Sequence, residues 1–218
     1  MRSIIFIAPP AGGKGTFSNI ICKKYNMPHI STGDLLREEA SKEGDRSNYI
    51  KEQMSKGNFI KDEIIFDLIK ERINREDCDN GYVLDGFPRN IEQARIYDDI
   101  LASLNKDLGC VILLDIPKDV AAKRIAGRLS CSKCGRVYNI YNEDMKPKKD
   151  NICDDCDIPL TKREDDNEET YEVRYNTYIE KTQPLIDFYK DKNVLYTIDS
   201  TLSIDEVISK IEDIIRGD

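Results

Sequence analysis

The stretch Ser3-Ile-Ile-Phe-Ile-Ala-Pro-Pro-Ala-Gly-Gly-Lys-Gly-Thr16 decides the fold. Ser3 to Ala8 is a short run of β-forming apolar residues, and Pro9 to Gly15 is a tight turn of prolines and small residues. Thr16 then opens a stretch with helical spacing to about Tyr25. Strand, tight loop and helix in that order let backbone N–H groups approach an anion at the positive end of a helix dipole. Lys14 is placed to reach the β and γ phosphates of a nucleotide, and Thr16 to sit near Mg²⁺. The pattern G-x4-G-K-[ST] is not met in full, because Ala8 stands where its first Gly belongs and Gly15 separates Lys14 from Thr16. A glycine-rich turn without a ligand is the alternative.

Similar buried-strand runs recur at Tyr82-Val-Leu-Asp85, Cys110 to Ile116 and Val194 to Ile198, each separated from the next by helical spacing. Strands alternating with helices predict an α/β fold with a parallel sheet covered on both faces. Leu35 to Lys56 reads as two polar helices broken near Gly44, and Asp62 to Asn74 as another whose apolar positions include Ile65, Leu68, Ile69 and Ile73. Residues 33–60 carry few large apolar groups and read as an excursion from the core. Tyr171, Tyr175, Tyr178, Thr182, Leu185 and Tyr189 mark one face of a long helix. Ser203-x-x-Glu206 is a capping-box pattern opening a terminal amphipathic helix through Ile214.

A chain of 218 residues supports one sizeable core with insertions. Its 39% hydrophobic and 34% charged residues fit neither a disordered nor a fibrous class. Apolar runs such as Ile4 to Ile7 fall far below the roughly 20 residues that span a bilayer, and no N-terminal signal pattern precedes them. No membrane partner and a cytoplasmic location are therefore expected. A formal net charge of −8 argues against a nucleic-acid partner held by phosphate contacts.

Between Leu129 and Lys162 the composition changes, with Lys and Asp clusters and two C-x-x-C pairs but little that could form a core. Cys131-x2-Cys134-x18-Cys153-x2-Cys156 is a pattern for tetrahedral Zn²⁺: each pair makes a tight knuckle, and four thiolates close the shell. A closed shell has no position for a reacting water, so the metal is structural. An iron site and two disulfides are the alternatives, the latter opposed by the odd total of seven Cys. Asp150, Asp154, Asp155 and Asp157 oppose reading this ribbon as a nucleic-acid module.

Asp85-Gly86-Phe87-Pro88-Arg89 ends an apolar strand, where ligands gather in open α/β sheets. Asp85 there can hold Mg²⁺ through water, and Arg89 can clamp a phosphate; a solvated loop with an ion pair is the alternative. His29, the only histidine, reads as a packed or hydrogen-bonded residue rather than a catalyst.

Ala8-Pro-Pro-Ala-Gly-Gly-Lys-Gly-Thr16, Ser31-Thr-Gly-Asp34, Asp85-Gly-Phe-Pro-Arg89, Arg124-x3-Arg128 and Arg163-x-Asp-Asp166 occur in the order and at about the spacing of the adenylate kinase family. Over essentially its whole length the chain resembles that family, in the form with a long, zinc-bearing flap over ATP. The resemblance implies a P-loop nucleoside monophosphate kinase. Its core would comprise 1–32, 61–128 and 163–218, with two mobile subdomains inserted: an AMP-binding insertion at 33–60 and a zinc-bearing flap at 129–162. The implied reaction is reversible, Mg²⁺-dependent transfer of a phosphoryl group from ATP to AMP giving two ADP, by a monomer. The resemblance implies ATP contacts from Ala11, Gly12, Gly13, Lys14, Gly15, Thr16, Arg124, Arg128, Val137, Tyr138 and Leu202. It places Thr32, Arg37, Asn58, Phe59, Ile60, Gly86, Phe87, Pro88, Arg89 and Gln93 around AMP. Arg163 and Arg174 would reach the transferring group, with Asp165 and Asp166 organising the closed site. Arg124 and Arg128, four apart, are expected on one helix face.

The family loop reads G-x-P-G-A-G-K-G-T, whereas here Ala8 and Ala11 occupy Gly positions and Gly12 an Ala position. Each added methyl costs about 1 kcal/mol if φ is strained. Phe17 stands in place of a common Gln, and Ser200 in place of a common Gly near the adenine pocket. These changes keep two rivals open: a kinase for another nucleoside monophosphate, and a nucleotide-binding regulator without turnover.

Overall fold

The computed structural model describes residues 3–55, 60–162 and 166–217. β1 (Ile4–Ile7) leads through the phosphate loop into α1 (Lys14–Tyr25), and β2 (His29–Ser31) into α2 (Thr32–Ala40). α3 (Asp45–Ser55) and α4 (Asp62–Ile73) follow, then β3 (Val83–Asp85), α5 (Ile91–Ser103), β4 (Cys110–Asp115) and α6 (Lys118–Ala126). β5 (Arg128–Ser130) and β6 (Val137–Asn139) belong to the cysteine-bearing segment. α7 (Glu168–Thr177), α8 (Pro184–Asp191), β7 (Leu195–Asp199) and α9 (Ile204–Arg216) complete the chain.

The main sheet runs β2-β3-β1-β4-β7, all parallel. Successive strand residues point to opposite faces, and the core divides accordingly. Ile5, Ile7, Leu84, Val111 and Leu113 pack on one face against α4, α5 and α8 through residues such as Ile69, Tyr97 and Leu185. Ile4, Phe6, Val83, Ile112 and Leu114 pack on the other against Phe17 and Ile21 of α1 and Val207 and Ile211 of α9. Burial on both faces explains why these strands read as continuous apolar runs rather than alternating ones. β2 escaped the sequence reading because it has only three residues, one of them buried. Among the described residues no helix is long and apolar enough to cross a membrane.

Two local features depart from expectation. The long helix from Tyr171 to Tyr189 is interrupted by a widened turn at Tyr178–Thr182, where the Gln183 N–H donates five residues back to the Tyr178 carbonyl at 2.8 Å. Pro184, without an N–H, cannot continue the α-helical ladder, and the wide turn absorbs the break while Tyr171, Leu185 and Tyr189 stay buried on one face. The second departure concerns Arg124 and Arg128, which do not share a helix. α6 ends at Ala126 and is capped by Gly127, so Arg124 lies in its last turn and Arg128 opens β5. The capping box at Ser203 and Glu206 forms with both reciprocal bonds.

β5 and β6 form a separate antiparallel ribbon, Arg128 opposite Asn139. The segment closes where Ser130 and Thr161 exchange backbone hydrogen bonds of 2.9 Å each. Its own core is small: Cys131, Tyr138, Cys153 and Leu160, with Leu129, Cys156 and Ile158 partly buried around them.

Candidate functional site

The C-terminal ends of the parallel strands open into one cleft of about 670 Å³. After β1 the chain turns with the Gly12 N–H on the Pro9 carbonyl at 2.9 Å. Gly13, at φ 93°, starts α1 without a side-chain cap, and no acidic residue stands in the first turn. That leaves the positive helix end open to an anion. Ala11 to Thr16, Thr32, Gly86 to Arg89, Arg124, Arg128, Val137, Tyr138, Arg174 and Leu202 all line the cleft.

Lys14 projects from the loop to Asp85 at the end of β3, Nζ to Oδ1 3.1 Å. Ser31 pairs with Asp85 in the sheet, which brings His29 of β2 alongside, and its Nε2 lies 3.4 Å from Asp85 Oδ2. Burial alone would raise the Asp85 pKa, but the hydrogen bonds from His29 and Lys14 outweigh it and pull the carboxyl down to about 2. Asp85 is therefore ionised at neutral pH, an oxygen donor of the kind Mg²⁺ favours. This agrees with reading His29 as a hydrogen-bonded residue; its partner was not foreseen, because β2 was not recognised as the neighbour of β3.

Beyond Asp85 the turn folds back on itself. Arg89 Nε donates to the Gly86 carbonyl at 2.8 Å. A Cβ at Gly86 would sit 3.2 Å from both Arg89 Nη2 and Thr32 Oγ1, so these two donors converge on one spot. Gln93 lies just behind: its amide oxygen accepts from the Arg89 N–H at 2.8 Å, and its amide nitrogen donates to Asp62 Oδ1 at 3.0 Å. Its amide is committed to holding the turn and does not line the cleft in this conformation. Arg37 is exposed and paired with Asp34, and Ile60 packs on the main core. Asn58, Phe59, Arg163 and Asp165 lie outside the described residues.

Arg128 bonds the buried carboxylate of Asp166 through both sides of its fork, Nε to Oδ2 at 2.7 Å and Nη2 to Oδ1. This pair ties the base of the cysteine-bearing segment to the start of α7. Arg124 is held by Ser200, with Nη1 3.1 Å from the hydroxyl and Nη2 2.6 Å from the carbonyl. Burial lowers its pKa from the ordinary arginine value. Arg174, Thr177, Tyr178 and Thr182 bring α7 and the widened turn to the cleft wall.

The four sulfurs of Cys131, Cys134, Cys153 and Cys156 lie within 4.8 Å of one another, with Cys134 and Cys153 3.7 Å apart. Sulfurs at about 2.3 Å from a tetrahedral zinc are about 3.8 Å apart, whereas a disulfide needs about 2.05 Å. All four cysteines are free. The two knuckles match: Gly135 N–H donates to the Cys131 carbonyl and Asp157 N–H to the Cys153 carbonyl, each at 3.0 Å. Both residues take positive φ, 71° and 52°, so the turn after each second cysteine is left-handed. The Tyr138 hydroxyl donates to Cys153 Sγ at 3.5 Å and pulls that thiol down to about 6, while burial and the neighbouring sulfurs push Cys156 up to about 12. Crowded sulfurs resist ionising together, and a divalent cation removes that conflict.

The family model for adenylate kinase matches residues 6–194. The chain belongs to the adenylate kinase family. It is 44% identical to an adenylate kinase of Thermotoga neapolitana over 216 residues, 99% of this chain and 97% of the relative. An adenylate kinase of Archaeoglobus fulgidus is 43% identical over 214 residues, 98% of each chain. One from Thermotoga maritima is 42% identical over 216 residues, 99% and 97%. The parallel sheet flanked by helices is the P-loop nucleoside monophosphate kinase fold.

Against the adenylate kinase loop pattern, the substitutions in this chain have a geometric logic. Ala11 takes φ 62°, a conformation glycine adopts without penalty, so its methyl carries strain as expected. Ala8 and Gly12 form a complementary pair: a Cβ at Gly12 would lie 2.8 Å from Ala8 Cβ and 3.0 Å from the Pro9 carbonyl oxygen. The methyl that the family pattern carries at the later position sits here at the earlier one, and both positions cannot carry it without movement. Gly12→Ala alone is therefore expected to destabilise by about 1–3 kcal/mol through overpacking. Ala8→Gly with Gly12→Ala should recover at least about 1 kcal/mol relative to the sum of the single changes. Denaturant unfolding of the four proteins measures this, and additive single effects would show that the two positions are independent.

Proposed function

We propose that this chain transfers the terminal phosphoryl group of ATP to AMP, reversibly, giving two ADP. The observation that carries the reading is that one cleft joins the phosphate loop to the Asp85–Arg89 turn at the ends of neighbouring parallel strands. Two phosphate-binding elements thus face a common space, as transfer between two nucleotides requires. ATP lies on Ala11 to Thr16, with Lys14, Arg124, Arg128, Val137, Tyr138 and Leu202 around it. AMP lies by Thr32 and the Gly86 to Arg89 turn, which the Gln93 amide holds in place, with Arg37, Asn58, Phe59 and Ile60 contributing. A phosphate oxygen of AMP attacks the γ-phosphorus in line as its bond to the β–γ bridging oxygen breaks, and the charge moves to the departing ADP. Lys14, Arg89, Arg174 and Arg163 neutralise that charge, and no protein nucleophile is needed. Thr16 and ionised Asp85 are the residues that would hold Mg²⁺ brought with ATP, which would supply charge neutralisation there, and Asp165 and Asp166 organise the closed site.

Residues 33–60 and 129–162 act as two flaps on a core of 1–32, 61–128 and 163–218, the second flap stapled by Zn²⁺ on its four cysteines. The paired stems at Ser130 and Thr161 and the four-sulfur cluster support that division. The chain works as a cytoplasmic monomer, without nucleic-acid or membrane partners.

The test is a coupled assay with ATP, Mg²⁺ and a panel of nucleoside monophosphates. Two ADP formed per ATP and AMP, at roughly 1 to 100 turnovers per second, is the expected result. Faster turnover with UMP, CMP or GMP would assign another monophosphate kinase. Tight ATP binding without ADP formation would assign a regulator.

A further inference from the structure

Ser200 stands where the family pattern has glycine, yet its side chain is among the best connected around the cleft. It is 1% exposed. Its hydroxyl donates to the Gly12 carbonyl at 2.8 Å and accepts from Arg124 Nη1 at 3.1 Å, while its own carbonyl accepts from Arg124 Nη2 at 2.6 Å. Its N–H donates to the Asp115 carbonyl at 2.8 Å, which anchors the residue to the end of β4. A glycine at this position would keep the two backbone bonds and lose both hydroxyl bonds.

We infer that Ser200 is a positioning residue for ATP, clamping the Arg124 guanidinium and the phosphate-loop carbonyl of Gly12 to the loop between β7 and α9. This rests on the reading of the cleft as an ATP site. The hydroxyl joins three chain segments that meet at that site: the loop preceding Lys14, the end of α6, and the turn carrying Leu202. The loop needs such support. Ala11 is strained at φ 62°, and Gly12 makes room for Ala8 rather than contributing a side chain of its own. On the Arg124 side, two bonds to one residue hold the guanidinium in a defined plane, so less freedom is lost when ATP meets it. The clamp touches neither Thr32 nor the Asp85–Arg89 turn, so its effect is confined to the ATP side.

The experiment measures Kd for ATP and AMP, and KM for each with kcat, in wild type, Ser200→Ala, Arg124→Ala and the double variant. Ser200→Ala removes the hydroxyl and keeps the backbone contacts. It is expected to weaken ATP about ten-fold in both Kd and KM, the scale of losing a buried hydrogen bond to a charged group. Kd and KM for AMP, and kcat, should stay within about two-fold. In the Arg124→Ala background the same change should cost ATP less than about three-fold, because its main partner is gone. Equal losses in the two backgrounds would overturn the inference, as would parallel losses for AMP and ATP or tighter ATP binding by Ser200→Ala. If the alanine variant does not fold, Ser200→Gly carries the same comparison. A wild type that binds no ATP would overturn the proposed function and this inference with it, whereas ATP binding unchanged by Ser200→Ala overturns the inference alone.

Discussion

Lys14→Ala is expected to lower kcat with ATP and AMP by about 10³-fold while leaving the fold intact. The lysine lies at the first position of α1, where the helix end is open and uncapped, and its ammonium reaches 3.1 Å to Asp85 across the cleft. Removing it deletes one positive charge from the place where phosphoryl oxygens must lie. It also leaves ionised Asp85 facing those oxygens without the lysine charge, with His29 still beside it, so the variant adds repulsion to the loss of attraction. One-third of the Lys14 side chain is exposed, and a partly solvated ion pair contributes at most about 1 kcal/mol to stability. The unfolding midpoint should therefore move little while turnover collapses. Lys14→Arg should recover only part of the rate, since a planar fork cannot reproduce a point charge in a tight backbone cradle. Turnover within ten-fold of wild type in Lys14→Ala would remove the loop from the phosphate site.

The elements that decided the fold were legible because they are buried on both faces or capped by recognisable chemistry. β1, β3 and β4 stood out as buried apolar runs, the edge strand β7 as a run of β-forming residues around the buried Ile198, and Ser203 with Glu206 announced α9. β2 did not, because a three-residue strand with one buried residue has no periodicity to read. Its loss concealed the His29–Asp85 pairing, which depends on strand order rather than on spacing along the chain. The Arg124–Arg128 spacing suggested a shared helix face, but Gly127 between them, a residue type that commonly ends helices, was the signal that α6 stops before Arg128. Arg128 with Asp166, and Ser200 with both Gly12 and Arg124, lie 38, 188 and 76 residues apart. Contacts of that range follow from the fold and have no local signature. The cysteine cluster was the opposite case: two C-x-x-C pairs carry their geometry in their spacing, and the four sulfurs meet as that spacing implies.

Zinc is expected to bind at one ion per chain, and Cys153→Ser is expected to abolish that stoichiometry and melt residues 129–162 before the core. The argument begins with how little else holds this segment together. Of the four side chains in its buried cluster, Cys131 and Cys153 would be spent on the metal, which leaves Tyr138 and Leu160 with a few partly buried neighbours. Surface pairs such as Arg136 with Asp155 at 2.8 Å contribute about 0–1 kcal/mol each. Structural zinc in small fingers supplies an apparent 10–16 kcal/mol, more than roughly 30 residues can draw from so small a core. Cys153 is the most consequential ligand to change, because it is fully buried and also receives the Tyr138 hydroxyl, which in turn accepts the Asp154 N–H at 2.8 Å. Serine there leaves three thiolates and weakens the link from the metal to β6, whose Val137 and Tyr138 line the cleft. Calorimetry should then show an early transition displaced downward by about 10 °C or more, with the main transition nearly unchanged. Closure, not chemistry, should fail: kcat should fall as the flap loses order, while AMP affinity at the Asp85–Arg89 turn persists. A metal-free wild type, or a melting profile in Cys153→Ser that superimposes on that of wild type, would show that the flap is held by its side chains alone.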